Sequence, residues 1–448
     1  MPERITVVGG GIAGTEAAWQ LARHGIPVRL YEMRPERMPP AHSTPHLGEL
    51  VCSNSFKGTD VASATGTLKR ELDALGSLVI DVARQSAVPA GAALAVDREA
   101  FSVTLTERIE RHPLIEVVRE EATAVPAGRC IIATGPLTSA SMEAALSGLI
   151  GPERLAFYDA AAPIVDAGTV DHSIVFAASR YEKGGADYLN CPLGRDEYSR
   201  LIDELINAKR VHAHDFERKE LFQACQPVEE IARSGPDALR YGALKPVGLV
   251  DPRTGSRPWA VVQLRPETTS GTAYNLVGFQ TNLTFGEQRR VFGTIPGLAD
   301  AEFLRYGVMH RNTFVRAPAL LDATLALIDI PEVRLAGQLT GTEGYLEAAA
   351  SGLLAALNTV ADIKGDPPVV LPSTTALGAL IAYATDPATS DYQPMHVNWG
   401  LVPPLAPPVR GKRKRYAAYA ARASTDLSAW MSTLPMPGNL PERGDVHG

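Results

Sequence analysis

A glycine-rich segment near the start of the chain has the residue types and spacing that bring a backbone close to a phosphate. It consists of Gly9, Gly10, Gly11, Ile12, Ala13 and Gly14. The first glycine permits a sharp turn, the third lets a pyrophosphate approach the backbone, and the last lets a helix pack closely on the preceding strand. Glu32 follows at the distance where an acidic side chain accepts the hydroxyls of a ribose. The pattern predicts a dinucleotide site.

The flanking residues predict the strand, turn and helix that such a site requires. Residues 5–8 are apolar or β-branched, residues 15–22 are helix formers with apolar residues at helical spacing, and residues 28–31 form a second strand that leads into Glu32. The N-terminus of the helix would present free N–H groups and the positive end of its dipole to the phosphates. The alternative is a glycine-rich turn that packs only against protein.

The cysteines are candidates for covalent chemistry. Cys52, Cys130, Cys191 and Cys225 lie far apart with no Cys-x-x-Cys pair, which favours reduced thiols over a disulfide framework or a zinc site. Each is therefore either a small buried hydrophobe or a nucleophile. Cys52 lies among Ser and Asn in a long polar connection, where both interpretations stay open. Cys130 lies in an apolar strand that ends on Ala133, Thr134 and Gly135, and is expected in the core.

Two further clusters contain functional residue types. A basic run beside tyrosines either contacts RNA phosphates or forms an ordinary solvated helix face; it consists of Lys412, Arg413, Lys414 and Arg415. His212, His214 and Asp215 lie close together, but no further ligand set is visible, so no metal site is predicted.

The composition is that of a soluble globular protein with two or three domains. The chain has 448 residues, of which 45% are hydrophobic and 21% charged, and its net charge is −7. This charge argues against a generally basic nucleic-acid binder but allows a local basic patch. The chain runs directly into a core strand, and no apolar stretch approaches the length of a membrane span. We therefore expect no signal peptide, no membrane segment and a cytoplasmic location.

The pattern along the chain predicts an α/β fold with an inserted domain. Residues 161–330 change to β-rich segments with one helical stretch, which favours an α+β domain inserted into a nucleotide-binding domain of residues 1–160 and 331–448. The chain returns through Gly337, Gln338 and Gly341 to a helix of small residues. The N-terminus of that helix can face an electron-rich ring edge, or the helix can simply pack on the sheet.

Seven segments spread along the chain together resemble one family of enzymes. They are the glycine triad with Glu32 and residues 50–55, 133–136, 224–229, 245–249, 306–313 and 337–345. The family is that of the folate- and FAD-dependent tRNA (uracil-5-)-methyltransferases, TrmFO. The glycine triad and residues 337–345 are shared with the related GidA/MnmG flavoproteins, whereas the two cysteine segments and residues 310–313 discriminate. The resemblance implies a Rossmann-like FAD-binding domain of the GidA/two-dinucleotide-binding type with an inserted α+β domain.

The resemblance also implies a reaction. A one-carbon unit would pass from methylenetetrahydrofolate, through FAD, to C5 of the T-loop uridine of tRNA, with NAD(P)H as the reductant. Cys225 takes the position of the nucleophile that adds to uracil C6, a role that needs a thiol pKa below the free value of about 8.5. Cys52 would protect the one-carbon unit at the flavin or act as the base at C5. FAD would contact the glycine segment, Glu32, Thr134, Gly135, Gly337, Gln338 and Gly341.

Several residues are hypothesised to contact the substrates. Tyr345 would stack on the pterin or shape the flavin face, His310 and Arg311 would orient one of the rings, and Arg289 and Arg290 would meet the folate glutamate or an RNA phosphate. Each of these residues can equally be structural. The rival functions are wobble-uridine modification of the GidA type, an RNA-independent NAD(P)H:flavin oxidoreductase, and a catalytically idle RNA-binding flavoprotein. The oligomeric state is left open.

Overall fold

Two structural units, each built from separated parts of the chain, make up the protein. The computed structural model describes residues 3–39, 42–50, 54–88, 92–152, 155–182, 188–211, 227–266, 271–389 and 392–433. The first unit falls within Met1–Leu155, Phe314–Ala388 and Leu405–Gly448, and the second within Ala156–Thr313 and Thr389–Pro404.

The described strands form four sheets. In chain order they are β1 (Ile5–Val8), β2 (Val28–Tyr31), β3 (Ser55–Gly58), β4 (Ala87–Val88), β5 (Ala93–Val96), β6 (Ile115–Val118), β7 (Cys130–Ile132), β8 (Leu155–Ala161), β9 (Ile164–Asp166), β10 (Phe176–Ala177), β11 (Leu189–Leu193), β12 (Ala260–Pro266), β13 (Ala273–Leu276), β14 (Phe303–Arg305), β15 (Val308–Val315), β16 (Ala326–Leu327) and β17 (Ile330–Leu335).

The described α-helices connect and cover these sheets. In chain order they are α1 (Ile12–Arg23), α2 (Ala64–Ala74), α3 (Leu78–Gln85), α4 (Arg98–Glu110), α5 (Ala140–Ile150), α6 (Arg195–Asn207), α7 (Val228–Ser234), α8 (Ala238–Tyr241), α9 (Phe285–Phe292), α10 (Tyr345–Lys364), α11 (Ala376–Thr385) and α12 (Lys412–Met431).

A six-stranded sheet of order β16-β17-β7-β1-β2-β6 forms the centre of the first unit. All its neighbouring strands pair in parallel except β16, which runs antiparallel at the edge. Val7, Leu30 and Ile131 lie side by side in the register, and each is fully buried. A parallel sheet covered on both faces needs apolar residues at successive positions, which is why the sequence indicated β1 and β7. The predicted α/β class is confirmed.

Helices α1 and α10 of the first unit pack closely through small residues. A Cβ atom on Gly352 of α10 would lie 2.2 Å from the carbonyl oxygen of Ala13 in α1. A Cβ atom on Gly14 would lie 1.8 Å from the carbonyl oxygen of Gly9, the first residue after β1. Glycine at both positions therefore lets α1 sit close to α10 and to its own strand.

Helix α10 corrects one expectation from the sequence. By length and composition Tyr345–Lys364 is apolar enough to cross a membrane, although no segment was expected to be. However, 83% of its most apolar 18-residue window is buried inside the protein. An apolar composition is also typical of a helix in a protein core, because such a helix is surrounded by apolar residues of the same protein.

A six-stranded sheet of order β10-β11-β12-β13-β9-β14 forms the second unit. Its strands pair antiparallel throughout. The main core of this unit joins strands to helices and includes Leu205 of α6, Val262 of β12, Leu276 of β13 and Phe292 of α9. This arrangement is of the α+β type.

The bounds of the two units differ from the predicted domain bounds. Residues 314–330 lie in the first unit, since β16 pairs with β17 in the central sheet. Residues 389–404 lie in the second unit. The hydroxyl of Thr272 donates to the carbonyl of Gly400, and the guanidinium of Arg305 donates to the carbonyl of Pro394. The chain thus enters the second unit twice.

Candidate functional site

The turn between β1 and α1 has the geometry that an approaching pyrophosphate needs. Gly9 has a φ of +103°, and a Cβ atom there would lie 2.5 Å from the carbonyl oxygen of Ala133. Gly11 has ordinary extended angles, φ −77° and ψ −168°, and a Cβ atom on it would meet no atom within 4 Å. Neither backbone conformation nor protein packing therefore demands glycine at position 11. The open space beside Gly11 has the character that a bound pyrophosphate would require.

The N-terminus of α1 has features that favour an anion. No side chain caps this helix end, and its first turn contains no acidic residue. The N–H groups of the first turn have no partners within the helix, and the helix dipole adds a partial positive charge. A phosphate beside Gly11 would satisfy both features.

Glu32 is held as a buried carboxylate beside the same turn. Its Oε2 accepts from the N–H of Gly10 at 2.9 Å, and its Oε1 accepts from the backbone N–H and from Nε of Arg34 at 3.0 and 2.8 Å. Burial opposes the charge of Glu32, but the hydrogen bonds and the charge of Arg34 outweigh it and hold the pKa of this carboxyl below its usual value. Arg34 also pairs with Glu49 at 3.0 Å. The carboxylate is therefore fixed in position and charged.

Glu32→Gln is expected to lower the free energy of unfolding by about 3 kcal/mol, because it removes one partner from a buried ion pair. The side chains of Arg34 and Glu32 are only 2% and 6% exposed. Since the folded-state pKa of Glu32 is lowered, its contribution is present above the ordinary carboxyl pKa of 4.5 and is lost as pH falls through the folded-state value. Urea unfolding of the flavin-free protein at several pH values measures both effects.

Glu116→Gln is the matched control for that substitution. Glu116 lies on β6, pairs with Arg4 and Arg29, and is 49% exposed, so its loss is expected to change the free energy of unfolding by less than about 1 kcal/mol. Equal effects of the two substitutions would contradict a special role for the buried pair.

The other segments predicted to bind the cofactor meet the glycine turn. The Cα atom of Thr134 lies 2.9 Å from the place of a Cβ atom on Gly9, and the Cβ atom of Ala13 lies 2.9 Å from that of a Cβ atom on Gly337. Gly337 has a φ of +76° and donates its N–H to Oγ of Ser351 at 2.8 Å. The structure thus brings these parts of the first unit together.

The remaining predicted cofactor residues lie in the same turns. Gly135, with a φ of +69°, follows Thr134, and a Cβ atom on it would meet no atom within 4 Å. Gln338 is half-buried in the 3-10 turn Gly337–Thr340, which ends at Gly341 with a φ of +78°. These turns stay candidates for contact with FAD.

The start of α10 carries a cluster that the sequence only partly indicated. The ring of Tyr345 lies 5.7 Å from that of Phe56 on β3. The fully buried Glu347 pairs with Nζ of Lys57 at 2.6 Å. No side chain caps the N-terminus of α10. The prediction that this helix end faces the edge of a bound ring stays a prediction. Lys57 was missed, although it closely follows the segment of residues 50–55.

A second lysine, Lys69, lies beside this cluster. Lys69 of α2 is buried and donates to the carbonyl of Gly58 at 2.8 Å. Burial lowers the pKa of Lys69 to about 8; the carboxylate of Glu347 acts in the opposite direction, and Lys57 adds to the lowering. Arg34 and Lys69 gave no sequence signal of their own, apart from the position of Arg34 two residues after Glu32.

The four thiols divide into two described residues and two that lie outside the described residues. Cys130 and Cys191 are buried in β7 and β11. Burial raises the pKa of Cys130 to about 12 and that of Cys191 further still, so both stay protonated and are poor nucleophiles at neutral pH. Cys52 and Cys225 lie outside the described residues.

The structure describes the side chains of only some of the predicted substrate residues. Arg290 of α9 pairs with Glu287 at 2.6 Å and also with Glu204, so its charge is already compensated. Arg289 donates from Nη2 to the hydroxyl of Tyr306 at 2.8 Å. His310 and Arg311 lie in β15, and their side chains are outside the description.

The basic run occupies the first turn of α12. Lys412, Arg413 and Lys414 are exposed, and Arg415 is half-buried. Cations at this end of a helix oppose its dipole. Lys412 and Arg415 lie 5.6 and 5.8 Å from the centroid of the Tyr416 ring, and an anion at this helix end would be a further favourable partner.

The chain matches a family model and several relatives over most of its length. Residues 4–367 match the family "Glucose inhibited division protein A". The methylenetetrahydrofolate–tRNA-(uracil-5-)-methyltransferase TrmFO of Moorella thermoacetica is 52% identical, over 98% of this chain and 100% of that protein. The enzymes of the same name from Thermosynechococcus vestitus and Geobacter sulfurreducens are 55% and 54% identical, over 97% of this chain and 96% and 100% of theirs.

Solved structures support the fold. GidA of Aquifex aeolicus, in one crystal form, aligns with a TM-score of 0.50 and 17% identity, covering 98% of this chain and 75% of its own. A second crystal form gives the same score over 97% of this chain. At this identity the likeness establishes the fold alone.

Proposed function

This chain belongs to the glucose inhibited division protein A family and, within it, to the TrmFO family, and on that premise we propose that it is a methylenetetrahydrofolate–tRNA-(uracil-5-)-methyltransferase. The observation that carries the proposal is the identity of more than half the residues over nearly the whole length of relatives with that name. The product would be 5-methyluridine in the T-loop of tRNA, and the reductant NAD(P)H.

FAD is the cofactor that the first unit fits. Gly11 leaves open space for the pyrophosphate, α1 offers an uncapped N-terminus, and Glu32 is held charged for a ribose. Bound FAD would supply the redox chemistry of the transfer and carry the one-carbon unit. Thr134, Gly135, Gly337, Gln338 and Gly341 would complete its binding site.

The chemistry at the uracil ring requires a nucleophile and a base. The thiolate of Cys225 would add to C6, and the electron pair displaced from the C5–C6 double bond would make C5 nucleophilic towards the one-carbon unit. A base would then remove the C5 proton, and the thiolate would leave from C6 as the double bond reforms. Cys52 is a candidate for that base or for protection of the one-carbon unit. Hydride that originates from NAD(P)H would then add to the transferred carbon as the bond between that carbon and its carrier breaks, with the electron pair of that bond left on the carrier, and this would complete the methyl group.

The remaining predicted residues would bind the substrates. Tyr345, which packs against Phe56, would stack on the pterin. His310, Arg311 and Arg289 would orient the folate or the RNA. Lys412, Arg413, Lys414 and Arg415, which lie in the first turn of α12, would meet RNA phosphates.

One incubation tests substrate, donor and reaction together. Purified protein with bound flavin is mixed with an unmodified tRNA transcript, NADPH and methylenetetrahydrofolate labelled in its methylene carbon, and the digested nucleosides are separated. Label in 5-methyluridine from the T-loop is the expected result. NADPH consumption without label in RNA would instead indicate a flavin oxidoreductase, and label at the wobble uridine would indicate a GidA-type modification.

A further inference from the structure

Tyr181 in the second unit combines a strained backbone with an exposed ring. Its angles, φ 57° and ψ 26°, lie in the left-handed region, which a bulky residue rarely adopts and which costs conformational energy. The side chain is nevertheless 61% exposed. An exposed tyrosine gains little from burial, so packing alone does not explain why this residue is kept in a conformation that suits glycine or asparagine.

The ring of Tyr181 lies flat on Gly248. Its Cδ1, Cδ2 and Cε1 atoms are each 3.1 Å from the place of a Cβ atom on Gly248, so that Cβ would point at the ring face and not at an edge. The N–H of Tyr181 donates to the carbonyl of Gly248 at 2.9 Å. One face of the ring is therefore supported by backbone, and the exposed area of the residue places the other face towards solvent.

Arg180 braces the segment from the neighbouring position. Its Nε donates to Oε1 of Gln263 and its Nη1 donates to the carbonyl of Val247, both at 2.8 Å. Gln263 is buried in β12 and donates to Oδ1 of Asn190 at 3.0 Å. Arg180 thus ties the loop that contains Gly248 to the centre of the sheet.

Asn190 completes this support. It is fully buried, lies opposite Gln263 in the register of β11 and β12, and donates to the carbonyls of Phe176 and Ala178. Two buried amides inside a sheet are costly unless they are hydrogen-bonded. Asn190 donates to the segment that leads into Tyr181, and Gln263 accepts from Arg180. The ring of Tyr181 is therefore held by a rigid structure.

The surrounding sequence is basic on an acidic protein. Residues 238–257 contain Arg240, Lys245, Arg253 and Arg257 but a single acidic residue, Asp251, although the net charge of the chain is −7. The carboxylate of Asp251 pairs with Arg253 at 2.7 Å. Lys245 is exposed, and so is Val247 beside Gly248. A polyanion is the partner that this local excess of positive charge fits.

We propose that the exposed face of the Tyr181 ring is a stacking platform for an unpaired base of the RNA substrate, with the exposed Lys245 and Arg257 meeting the adjacent phosphates. Unpaired bases stack on aromatic side chains, whereas bases inside a duplex are not accessible to them. The inference rests on the proposed function, since it takes tRNA as the substrate. It adds a contact surface distinct from Arg289, Arg290 and the basic run of α12.

The test compares Tyr181→Gly with Tyr181→Phe in the flavin-loaded protein. Glycine removes the ring and relieves the strained φ, so we expect no loss of thermal stability. The dissociation constant for a T-arm hairpin RNA should rise at least about fivefold, the lower limit for loss of one stacked base. Phenylalanine should bind as the wild type does. A fully paired duplex of the same stem should bind equally to all three proteins.

The outcomes separate this inference from the proposed function. If wild type and Tyr181→Gly bind the hairpin equally, the platform is wrong while the methyltransferase assignment stands. If Tyr181→Gly unfolds at a lower temperature and binds RNA normally, the ring only covers Gly248. If the wild type binds neither hairpin nor tRNA, the proposed function fails and the platform with it.

Discussion

Replacing Cys225 with alanine is expected to lower uridine methylation at least about a thousandfold, since loss of a covalent nucleophile is among the most damaging changes an enzyme can suffer. Uracil C5 is a poor nucleophile until a thiolate adds at C6. The two described thiols cannot replace Cys225, because burial keeps Cys130 and Cys191 protonated. The measurement is the initial rate of label transfer from methylenetetrahydrofolate to tRNA.

Cys130→Ala and Cys191→Ala are the matched controls for that prediction. Both change a buried thiol and should leave the methylation rate within about a few-fold of the wild type, with a modest fall in stability. Methylation by Cys225→Ala at the rate of these controls would remove the assignment of the nucleophile.

A tRNA with 5-fluorouridine at the target position separates the two remaining cysteines. Fluorine at C5 cannot leave as a proton, so the enzyme should stay attached to RNA through C6. The attached complex, seen as a band of reduced mobility on a denaturing gel, should form with Cys52→Ala if Cys52 is the base at C5. It should not form with Cys225→Ala.

Gly11→Val is expected to give a folded protein that does not retain flavin. The valine side chain would enter space that holds no protein atom within 4 Å of its Cβ, and the backbone angles at position 11 suit any residue. The same side chain would collide with a bound pyrophosphate, so FAD affinity should fall by up to about a hundredfold, which corresponds to the upper end of the free-energy cost of overpacking. Flavin absorbance after gel filtration, and calorimetry with added FAD, measure the loss.

Two other glycines supply the contrast. Gly14→Val should unfold the first unit, because even its Cβ would lie 1.8 Å from a carbonyl oxygen. Gly286→Val, in α9 of the second unit, also enters open space and should leave flavin binding unchanged. Full flavin occupancy in Gly11→Val would contradict the position assigned to the pyrophosphate.

The glycine turn and its flanking strands could be predicted because the information is local. Residues 5–32 contain a strand, a turn, a helix and a second strand in succession, and each follows from the spacing of neighbouring residues. The partners of the site could not be predicted in this way. Lys57 pairs with Glu347 from 290 positions away, and Arg290 is neutralised by Glu204 from 86 positions away. No local pattern encodes such pairs.

The return of residues 389–404 to the second unit was missed for a related reason. This segment has no helix among its described residues, and the hydrogen bonds that attach it include those from Thr272 and Arg305, which are far away in the sequence. Periodicity indicates which elements form, whereas side-chain hydrogen bonds of this kind decide to which unit an irregular segment belongs.

The split first unit has a consequence for the order in which the protein matures on the ribosome. Its central sheet needs β17, and the glycine turn needs the support of α10, which ends at Lys364. All strands of the six-stranded sheet in the second unit have been synthesised earlier, by Arg305. A nascent chain that stops before β17 therefore leaves the edge of β7 unpaired and prone to aggregation, and one that stops before α10 lacks the helix that packs on α1. Flavin capture becomes a late maturation step that marks chains whose synthesis has passed this helix.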